Sequence, residues 1–265
     1  GYFVLCTRKG RIKRVPVSAF ASVRSNGLIA MALEKHDYLR WAQHTTGNQD
    51  LILVTRKGQS IRFNERDVRV MGRPAAGVNA IRLRGDDELT GMDAIDDPND
   101  TLLVITENGY GKRTPLSEYG VQRRFGQGIR TLSKDFHKPG PFIGSGVVKS
   151  GDSLTLITAG GIALRTEVST INKYGRSTGG VKLMDLPDDD LLVSMALVTG
   201  EKRPTDGEIA ALDADLGDLE LLDEEEPLDD DYVSDPPDDE SSYGDEYFES
   251  DSDDGEDDEV RFDDE

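Results

Sequence analysis

One pattern of hydrophobic and polar positions occurs four times along the chain. In each copy an apolar stretch is followed by Thr, two further residues and Gly, and the copies are residues 4–10, 52–58, 103–109 and 155–161. The closing glycines are 48, 51 and 52 residues apart, and an arginine stands four residues after each of them: Arg14, Arg62, Arg113 and Arg165. A self-similar period of this length is typical of repeat architectures, so the sequence predicts four structurally equivalent units.

Each unit is predicted to contain four strands. In the second repeat these are residues 51–55, 59–63, 78–83 and 89–95, and a tight turn that ends at Gly58 joins the first two. Glycine supplies the positive φ that such a hairpin turn demands. In every repeat a second glycine, 17 to 19 residues after the first, opens the third run: Gly27, Gly77, Gly128 and Gly180.

A four-stranded sheet of about 50 residues cannot bury both faces alone, so neighbouring sheets must stack. A radial array satisfies this requirement. We therefore predict an all-β, propeller-like chain with one antiparallel blade from each of four repeats, at about residues 1–50, 51–100, 101–152 and 153–200. A pair of β-sandwiches is the alternative.

The formal net charge of −21 is the sum of two parts of the chain that have opposite net charges. Residues 201–265 carry 31 acidic and 3 basic side chains, whereas residues 1–200 carry 21 acidic and 28 basic ones. High charge with low hydrophobicity is typical of disordered segments, so we expect residues 201–265 to be a disordered acidic tail. The remainder carries a net charge of +7 and is free to bind polyanions.

Several functional classes can be set aside. No apolar stretch approaches the ~18 residues of a membrane-spanning helix, and the single cysteine, Cys6, cannot form an internal disulfide, which makes the cytoplasm the default location. The three histidines lack a zinc-ligand spacing, residues 106–113 lack the phosphate-loop pattern, and no nucleophile with its base stands out. We expect no catalytic residue, metal or cofactor in this chain. Because it opens at Gly1 inside a predicted strand, we expect a piece of a longer protein.

Basic side chains recur at equivalent places in the repeats. A ring of such positions would form a belt around the outer rim that contacts successive phosphates of a curved duplex. The densest cluster is Gln122, Arg123 and Arg124, beside glycines that allow close approach of the backbone. The predicted DNA-binding residues are these three with Arg8, Lys9, Arg11, Lys13, Arg14, Arg56, Lys57, Arg62, Lys112, Arg113 and Arg165.

These basic residues also have structural explanations. An arginine repeated at the same depth of every unit can pair with carboxylates or carbonyls between blades. The excess of Lys and Arg at the hairpins can be an ordinary solvated surface, and residues 122–128 can be the same blade loop as in the other repeats. The sequence leaves both interpretations open.

Two segments carry a resemblance to a known family. Residues 107–119, Glu-Asn-Gly-Tyr-Gly-Lys-Arg-Thr-Pro-Leu-Ser-Glu-Tyr, and residues 175–183, Gly-Arg-Ser-Thr-Gly-Gly-Val-Lys-Leu, resemble the C-terminal domains of DNA gyrase A proteins. The resemblance covers residues 1 to about 200, and the acidic tail is similar in character to the one that follows this domain. The family domain usually has six blades, and the four repeats of this chain resemble the last four. Residues 122–128, in the third repeat, match five of seven positions of the family's basic box, Gln-Arg-Arg-Gly-Gly-Lys-Gly, which belongs to the first blade.

The resemblance implies a β-pinwheel, a propeller variant whose blades exchange strands, that wraps double-stranded DNA with positive handedness. It implies a parent type II topoisomerase that introduces negative supercoils, with ATP and Mg²⁺ used elsewhere in that assembly. The implied partners are DNA, the N-terminal part of the gyrase A protein, and the gyrase B protein in a cytoplasmic heterotetramer. The alternatives are the equivalent domain of topoisomerase IV, which holds DNA without strong wrapping, and a non-enzymatic propeller that scaffolds proteins.

Overall fold

The computed structural model describes residues 1–23, 25, 27–132 and 139–200. The predicted acidic tail lies outside these residues. The described part of the chain is all-β, with four short 3₁₀ turns at Val17–Phe20, Glu65–Asp67, Leu116–Glu118 and Val168–Thr170. Its fifteen strands are β1 (Tyr2–Thr7), β2 (Arg11–Pro16), β3 (Leu39–Thr45), β4 (Asp50–Thr55), β5 (Gln59–Asn64), β6 (Val78–Asn79), β7 (Leu89–Ile95), β8 (Thr101–Thr106), β9 (Tyr110–Pro115), β10 (Ile129–Arg130), β11 (Phe142–Val148), β12 (Ser153–Thr158), β13 (Ala163–Glu167), β14 (Val181–Lys182) and β15 (Leu192–Val198).

The strands form four antiparallel sheets, one for each repeat. In order across each sheet, blade 1 is β3-β1-β2-β6, blade 2 is β7-β4-β5-β10, blade 3 is β11-β8-β9-β14, and blade 4 is β15-β12-β13. The first strand of every repeat, β1, β4, β8 or β12, forms a hairpin with the second and pairs on its other side with the long last strand. This confirms the all-β, propeller-like prediction.

The third strand of the second, third and fourth repeats belongs to the sheet of the preceding blade. β6 of the second repeat pairs with β2, β10 pairs with β5, and β14 pairs with β9. The prediction that each repeat forms its own sheet was therefore wrong, and the strand exchange implied by the family resemblance is confirmed. The exchanged strand is also short, with residues 78 and 79 paired in place of the predicted 78–83. In the part of the chain that the structure describes, blade 4 has three strands.

A glycine stands directly before each donated strand and allows the strand to approach the preceding blade closely. Gly77, Gly128 and Gly180 have φ between 71° and 82°, a region that favours glycine. A Cβ atom on Gly77 would lie 2.5 Å from the carbonyl oxygen of Ile12, and one on Gly128 would lie 2.5 Å from that of Ser60. The second glycine of the sequence repeat thus marks the place where one repeat enters the sheet of its neighbour.

The central strands β4 and β8 are buried on both faces and link the blades through shared cores. Leu51 and Leu53 of β4 pack with blade 1, whereas Ile52 and Val54 pack with blade 3. Leu103 and Ile105 of β8 pack in the same way with blade 4. A pair of sandwiches would enclose two separate cores, so this alternation excludes the sandwich alternative.

The long last strands lie side by side, β3 with β7, β7 with β11, and β11 with β15. They form the inner edge of the blades, and the donated strands β6, β10 and β14 form the opposite, outer edge. Gly91 faces Ser145, and a Cβ atom on Gly144 would lie 2.6 Å from the sulfur of Met195. Small residues therefore allow the inner strands to approach one another closely.

Candidate nucleic-acid interface

Three equivalent loops lead into the donated strands at the outer edge. We call residues 71–77, 122–128 and 174–180 the connecting loops. Each begins directly after a parallel bridge to the arginine that follows the hairpin turn of the preceding blade: Arg14 with Val70, Arg62 with Val121, and Arg113 with Lys173. Residues 122–128, singled out as the basic cluster, are thus the equivalent of the other two connecting loops.

An arginine recurs at one position of every connecting loop, four residues before its final glycine: Arg73, Arg124 and Arg176. Arg124 donates from Nε to the carbonyl oxygen of Asp67 at 3.2 Å and from Nη1 to the carbonyl oxygen of Asn79 in β6. Arg176 donates in the equivalent way to the carbonyl oxygen of Arg130 in β10. Arg124 and Arg176 thus tie their loops to the outer strand of the preceding blade, and Arg123 beside Arg124 is exposed.

Lys13 and Lys112 lie in the interior, although the sequence pattern predicts them on a DNA-binding belt. Both are fully buried. The Nζ atom of Lys112 donates to the carbonyl oxygens of Gly175, Arg176 and Thr178 at 3.0, 2.6 and 2.8 Å. Lys13 makes the same three contacts with the first connecting loop, to Gly72, Arg73 and Ala75 at 3.2, 2.5 and 3.0 Å.

An ammonium group has three hydrogens, and three carbonyls engage all of them in each of these two sites. Burial lowers the pKa of Lys112 to about 8, with a smaller lowering from Arg176 and an opposing contribution from Glu118. Burial also lowers the pKa of Lys13. These two lysines therefore shape the connecting loops, and their ammonium donors are engaged within the protein. Ile61 occupies the corresponding position in blade 2, beneath residues 122–128.

The arginines that follow the hairpin turns also bind within the protein. Arg62 donates to Asp50 Oδ2 at 2.9 Å and to the carbonyl oxygen of Leu116 at 3.0 Å. Arg113 donates to the carbonyl oxygens of Ile171 and Ser169 at 2.6 and 3.2 Å. Arg14 lies 3.6 Å from the buried carboxylate of Glu65 and donates to the carbonyl oxygen of Gly47.

These contacts match the structural alternative considered for this arginine position. The partners of Arg62 and Arg113 include carbonyls of the 3₁₀ turn of the following repeat, so the arginines hold successive blades together. Arg165, the fourth member of the series, is exposed on β13, the outer strand of blade 4.

The structure separates the two basic residues of the first two hairpin turns. Arg8 and Arg56 form ion pairs with Glu88 and Glu107 of the following repeats, at 3.3 and 3.0 Å. All four side chains line a cavity of about 330 Å³ beside the inner strands, so these two arginines do not lie at the outer edge. Lys9 donates to the carbonyl oxygen of Lys35, and Lys57 pairs with Asp86. The exposed Lys57 pair is weak because water screens it.

Sequence reasoning missed several basic residues at the outer edge. Arg82, Arg84 and Arg130 are exposed and line a pocket of about 220 Å³ with Lys57 and Gln127. Arg11, one of the predicted DNA-binding residues, pairs with Glu34 in the corresponding part of blade 1. Aligning the repeats on their second glycine would have revealed Arg73 and Arg176, whereas Arg82 and Arg84 have no counterpart that repeats.

Other kinds of site find little support in the described residues. Within them, no group of three His, Cys, Asp or Glu side chains is placed to hold a metal ion. No helix there has the length and hydropathy required to cross a membrane.

Comparison with known proteins shows which family has this architecture. The model of the family described as "DNA gyrase C-terminal domain, beta-propeller" matches residues 1–45, 49–96, 100–136 and 152–199, one segment for each repeat. The chain is 43% identical over 195 residues to the DNA gyrase A protein of Haloquadratum walsbyi (strain DSM 16790 / HBSQ001), a match that covers 73% of this chain and 23% of that protein. The chain spans about a quarter of the length of the curated relatives that it matches.

Two solved structures share the fold. The C-terminal domain of DNA topoisomerase IV superposes with a TM-score of 0.75 at 26% identity, covering 81% of this chain and 67% of that one. The DNA gyrase A C-terminal domain superposes with a TM-score of 0.65 at 29% identity, covering 73% and 64%. The resemblance carried by residues 107–119 and 175–183 is confirmed. The chain therefore belongs to the family of β-propeller C-terminal domains of DNA gyrase.

Proposed function

We propose that this chain binds and wraps double-stranded DNA as the C-terminal domain of a gyrase-type type II topoisomerase. The observation that carries the proposal is the repeated connecting loop, which brings an arginine to the same place at the outer edge in three successive repeats: Arg73, Arg124 and Arg176. Positive charge at regular intervals along a curved edge suits a bent polyanion.

The DNA-contacting surface consists of exposed and half-buried polar residues at this edge, almost all of them basic. Seven of these residues are predicted from the sequence: Lys9, Arg11, Lys57, Gln122, Arg123, Arg124 and, on blade 4, Arg165. The structure adds five more: Arg73, Arg82, Arg84, Arg130 and Arg176. In the described residues no α-helix is present to read base edges, so affinity comes from phosphate contacts and preference from how easily the duplex bends. Binding is therefore largely independent of sequence.

We further propose the context of this domain. Residues 1–200 form the DNA-binding repeats, in four units of about 50 residues, and residues 201–265 form a separate acidic tail. The parent assembly is a cytoplasmic heterotetramer that contains the gyrase B protein together with the N-terminal part of the gyrase A protein. It uses ATP and Mg²⁺ outside this chain to introduce negative supercoils.

A second candidate is the domain of topoisomerase IV, because the solved structure of that domain has the higher TM-score. The identity of about 40% to curated gyrase A proteins favours gyrase, whereas the two solved domains differ little in identity to this chain, at 29% for gyrase and 26% for topoisomerase IV. The two candidates differ in strong wrapping, which a topological assay detects.

A salt titration of duplex binding tests the proposal, with a bent and a straight duplex of equal length. Several phosphate contacts predict a steep linear fall of log K with log salt, by about 0.9 for each contact, and tighter binding to the bent duplex. A shallow slope, or failure to bind at low salt, would instead favour a protein-binding scaffold.

A further inference from the structure

The pocket that sequence reasoning missed lies at the outer edge of blade 2. We call it the blade 2 pocket. It is built from three separate segments: the hairpin of the second repeat, the loop that follows its donated strand, and the strand donated by the third repeat. In that order they contribute Thr55, Lys57 and Gln59; Arg82, Arg84 and Asp87; and Gln127, Gly128 and Arg130. Its volume of about 220 Å³ accommodates a group of several heavy atoms.

Four cationic side chains and one carboxylate line this pocket. The carboxylate, Asp87, accepts hydrogen bonds from the backbone amides of Lys57 and Glu88 at 3.0 and 2.9 Å. Asp37 and Asp190 accept from the hairpin turns of blades 1 and 4 in the same way, so this aspartate has a structural role that recurs in the fold. Within the described ranges, no carboxylate forms an ion pair with Arg82, Arg84 or Arg130.

Two of the arginines are held in place by the third repeat. The Arg82 guanidinium lies 5.1 Å from the centre of the Phe125 ring, and Nη2 of Arg84 donates to Oε1 of Gln127 at 2.5 Å. Stacking and a side-chain hydrogen bond reduce the freedom that these arginines would lose on binding a ligand.

The loop that carries Phe125 adopts an uncommon backbone conformation. Phe125 has a φ of 66°, in the left-handed region where an aromatic residue is rare. Hydrogen bonds with the second repeat hold it there: its amide donates to the carbonyl oxygen of Ala80 at 2.7 Å, and the Arg82 amide donates to the carbonyl oxygen of Gly126 at 2.9 Å. Strain of this kind concentrates at ligand-binding sites.

Two of the corresponding positions in blades 1 and 3 hold side chains that belong to ion pairs. In blade 1, Glu34 stands where blade 2 has Arg84, seven residues after the second glycine, and it accepts from Nε of Arg11 at 2.7 Å. In blade 3, Lys182 stands where blade 2 has Arg130, and it pairs with Asp185 at 2.8 Å. Among the described residues, blade 2 thus brings together three guanidinium groups that form no ion pair with a carboxylate.

We propose that the blade 2 pocket is a dedicated phosphate site, in which Arg82, Arg84 and Arg130 bind one backbone phosphate group of the duplex. Guanidinium groups offer paired N–H donors that match phosphate oxygens. The site anchors the duplex beside the exposed Arg123, and the other basic residues of the edge contact flanking phosphates. This inference rests on the proposed DNA binding and assigns its strongest single contact.

The test compares the full chain with two charge-matched triple variants. The pocket variant is Arg82→Gln/Arg84→Gln/Arg130→Gln, and the control is Arg66→Gln/Arg69→Gln/Lys149→Gln, three exposed cations outside the pocket. Fluorescence anisotropy with a labelled duplex gives affinity and its salt slope. The pocket variant is expected to lose about tenfold or more in affinity at low salt, against a much smaller loss for the control. Because one phosphate contact is removed, the salt slope of the pocket variant is expected to fall by about 1.

Thermal unfolding checks that the variants fold. We expect them to fold because the substituted residues are exposed. Arg84→Gln alone and Arg130→Lys, which keeps the charge but removes the paired donors, are each expected to give an intermediate loss of affinity. Equal losses in the pocket and control variants would overturn the phosphate site and leave DNA binding standing. Failure of the unmodified chain to bind the duplex would overturn both.

A competition arm with inorganic phosphate separates the two possible sources of the ligand. Inorganic phosphate at millimolar concentration, with ionic strength held constant, is expected to weaken duplex binding by the unmodified chain more than by the pocket variant. If the pocket variant lost inorganic phosphate binding but bound the duplex unchanged, the pocket would serve a free anion and the assignment to DNA would be wrong.

Discussion

Lys112 and Arg176 fix one connecting loop from two sides. The Nζ atom of Lys112 donates to the carbonyl oxygen of Arg176 at 2.6 Å from the protein interior. The Arg176 guanidinium donates outward to the carbonyl oxygen of Arg130, in the outer strand of the preceding blade. A buried cation thus holds the loop backbone, while a second cation at the surface ties the loop to its neighbour at the edge proposed to contact DNA.

Replacing Lys112 with Met tests the interior half of this arrangement. The change leaves three loop carbonyls without their donor, so we expect the free energy of unfolding to fall by about 2–4 kcal/mol. Urea unfolding measures the loss. Lys173→Met, at an exposed position beside the same loop, is the control and is expected to change stability by about 0.5 kcal/mol or less. Equal stability of the two variants would mean that the three carbonyl contacts contribute nothing.

Replacing Gly128 with Ala tests strand exchange. The new Cβ would lie 2.5 Å from the carbonyl oxygen of Ser60, at a residue with φ of 71°, so the donated strand β10 must shift. We expect a loss of stability of about 2 kcal/mol or more. Gly120→Ala, where a Cβ meets open space, is the matched control. A Gly128→Ala variant as stable as this control would contradict the close approach of β10 to β5.

Asp93 of the inner strand β7 predicts a pH dependence of stability. Burial raises its pKa to about 6, opposed by the hydrogen bond that its Oδ2 accepts from the Val147 amide at 3.2 Å. The folded state therefore holds this proton more tightly than the unfolded state, whose pKa is near 3.8. The cost of ionising Asp93 begins above pH 3.8 and is complete above about pH 6, so this group lowers stability as pH rises through that window.

Asp93→Asn removes this cost. Oδ1 of Asp93 accepts a hydrogen bond from Nε2 of Gln43 at 3.2 Å. In the variant, the Gln43 amide can rotate so that its oxygen accepts a hydrogen bond from the side-chain NH₂ group of the new asparagine. Relative to the unmodified chain, the variant is expected to gain about 2 kcal/mol between about pH 4 and pH 7, measured by urea unfolding at several pH values. An advantage that does not change with pH would show that Asp93 ionises normally.

Neutralising Arg123 and Arg124 together tests the non-specific character of binding. If these residues contact phosphates, Arg123→Gln/Arg124→Gln weakens binding to every duplex alike and lowers the salt slope by about 2. Two duplexes of equal length and unrelated sequence make the comparison in an anisotropy assay. A selective loss on one of them would instead indicate base readout.

The repeat pattern predicted the architecture because every hairpin needs a glycine at the same position of its turn and apolar residues at the same positions of its first strand. It could not predict that residues 78 and 79 join the sheet of blade 1, since both candidate sheets lie within reach of Gly77 and only packing decides between them. Lys13 lies between Ile12 and Arg14 in a strand, and alternation alone does not show that its face is covered by the connecting loop of the next repeat.

The proposed interface could be predicted from the sequence where basic residues cluster or repeat. The basic cluster at residues 122–128 lies in one connecting loop, and counting back from the second glycine would have identified its equivalents Arg73 and Arg176. The blade 2 pocket draws on three segments that strand exchange brings together, so no spacing along the chain predicts it.

Wrapping is most directly tested by relaxing a closed circular plasmid with a type I topoisomerase in the presence of the full chain. After removal of protein, the linking number is read on a two-dimensional gel. Wrapping with positive handedness predicts product plasmids whose mean linking number rises with the amount of chain added. An unchanged linking number at concentrations that saturate the plasmid would contradict the account and leave a domain that holds DNA without wrapping it.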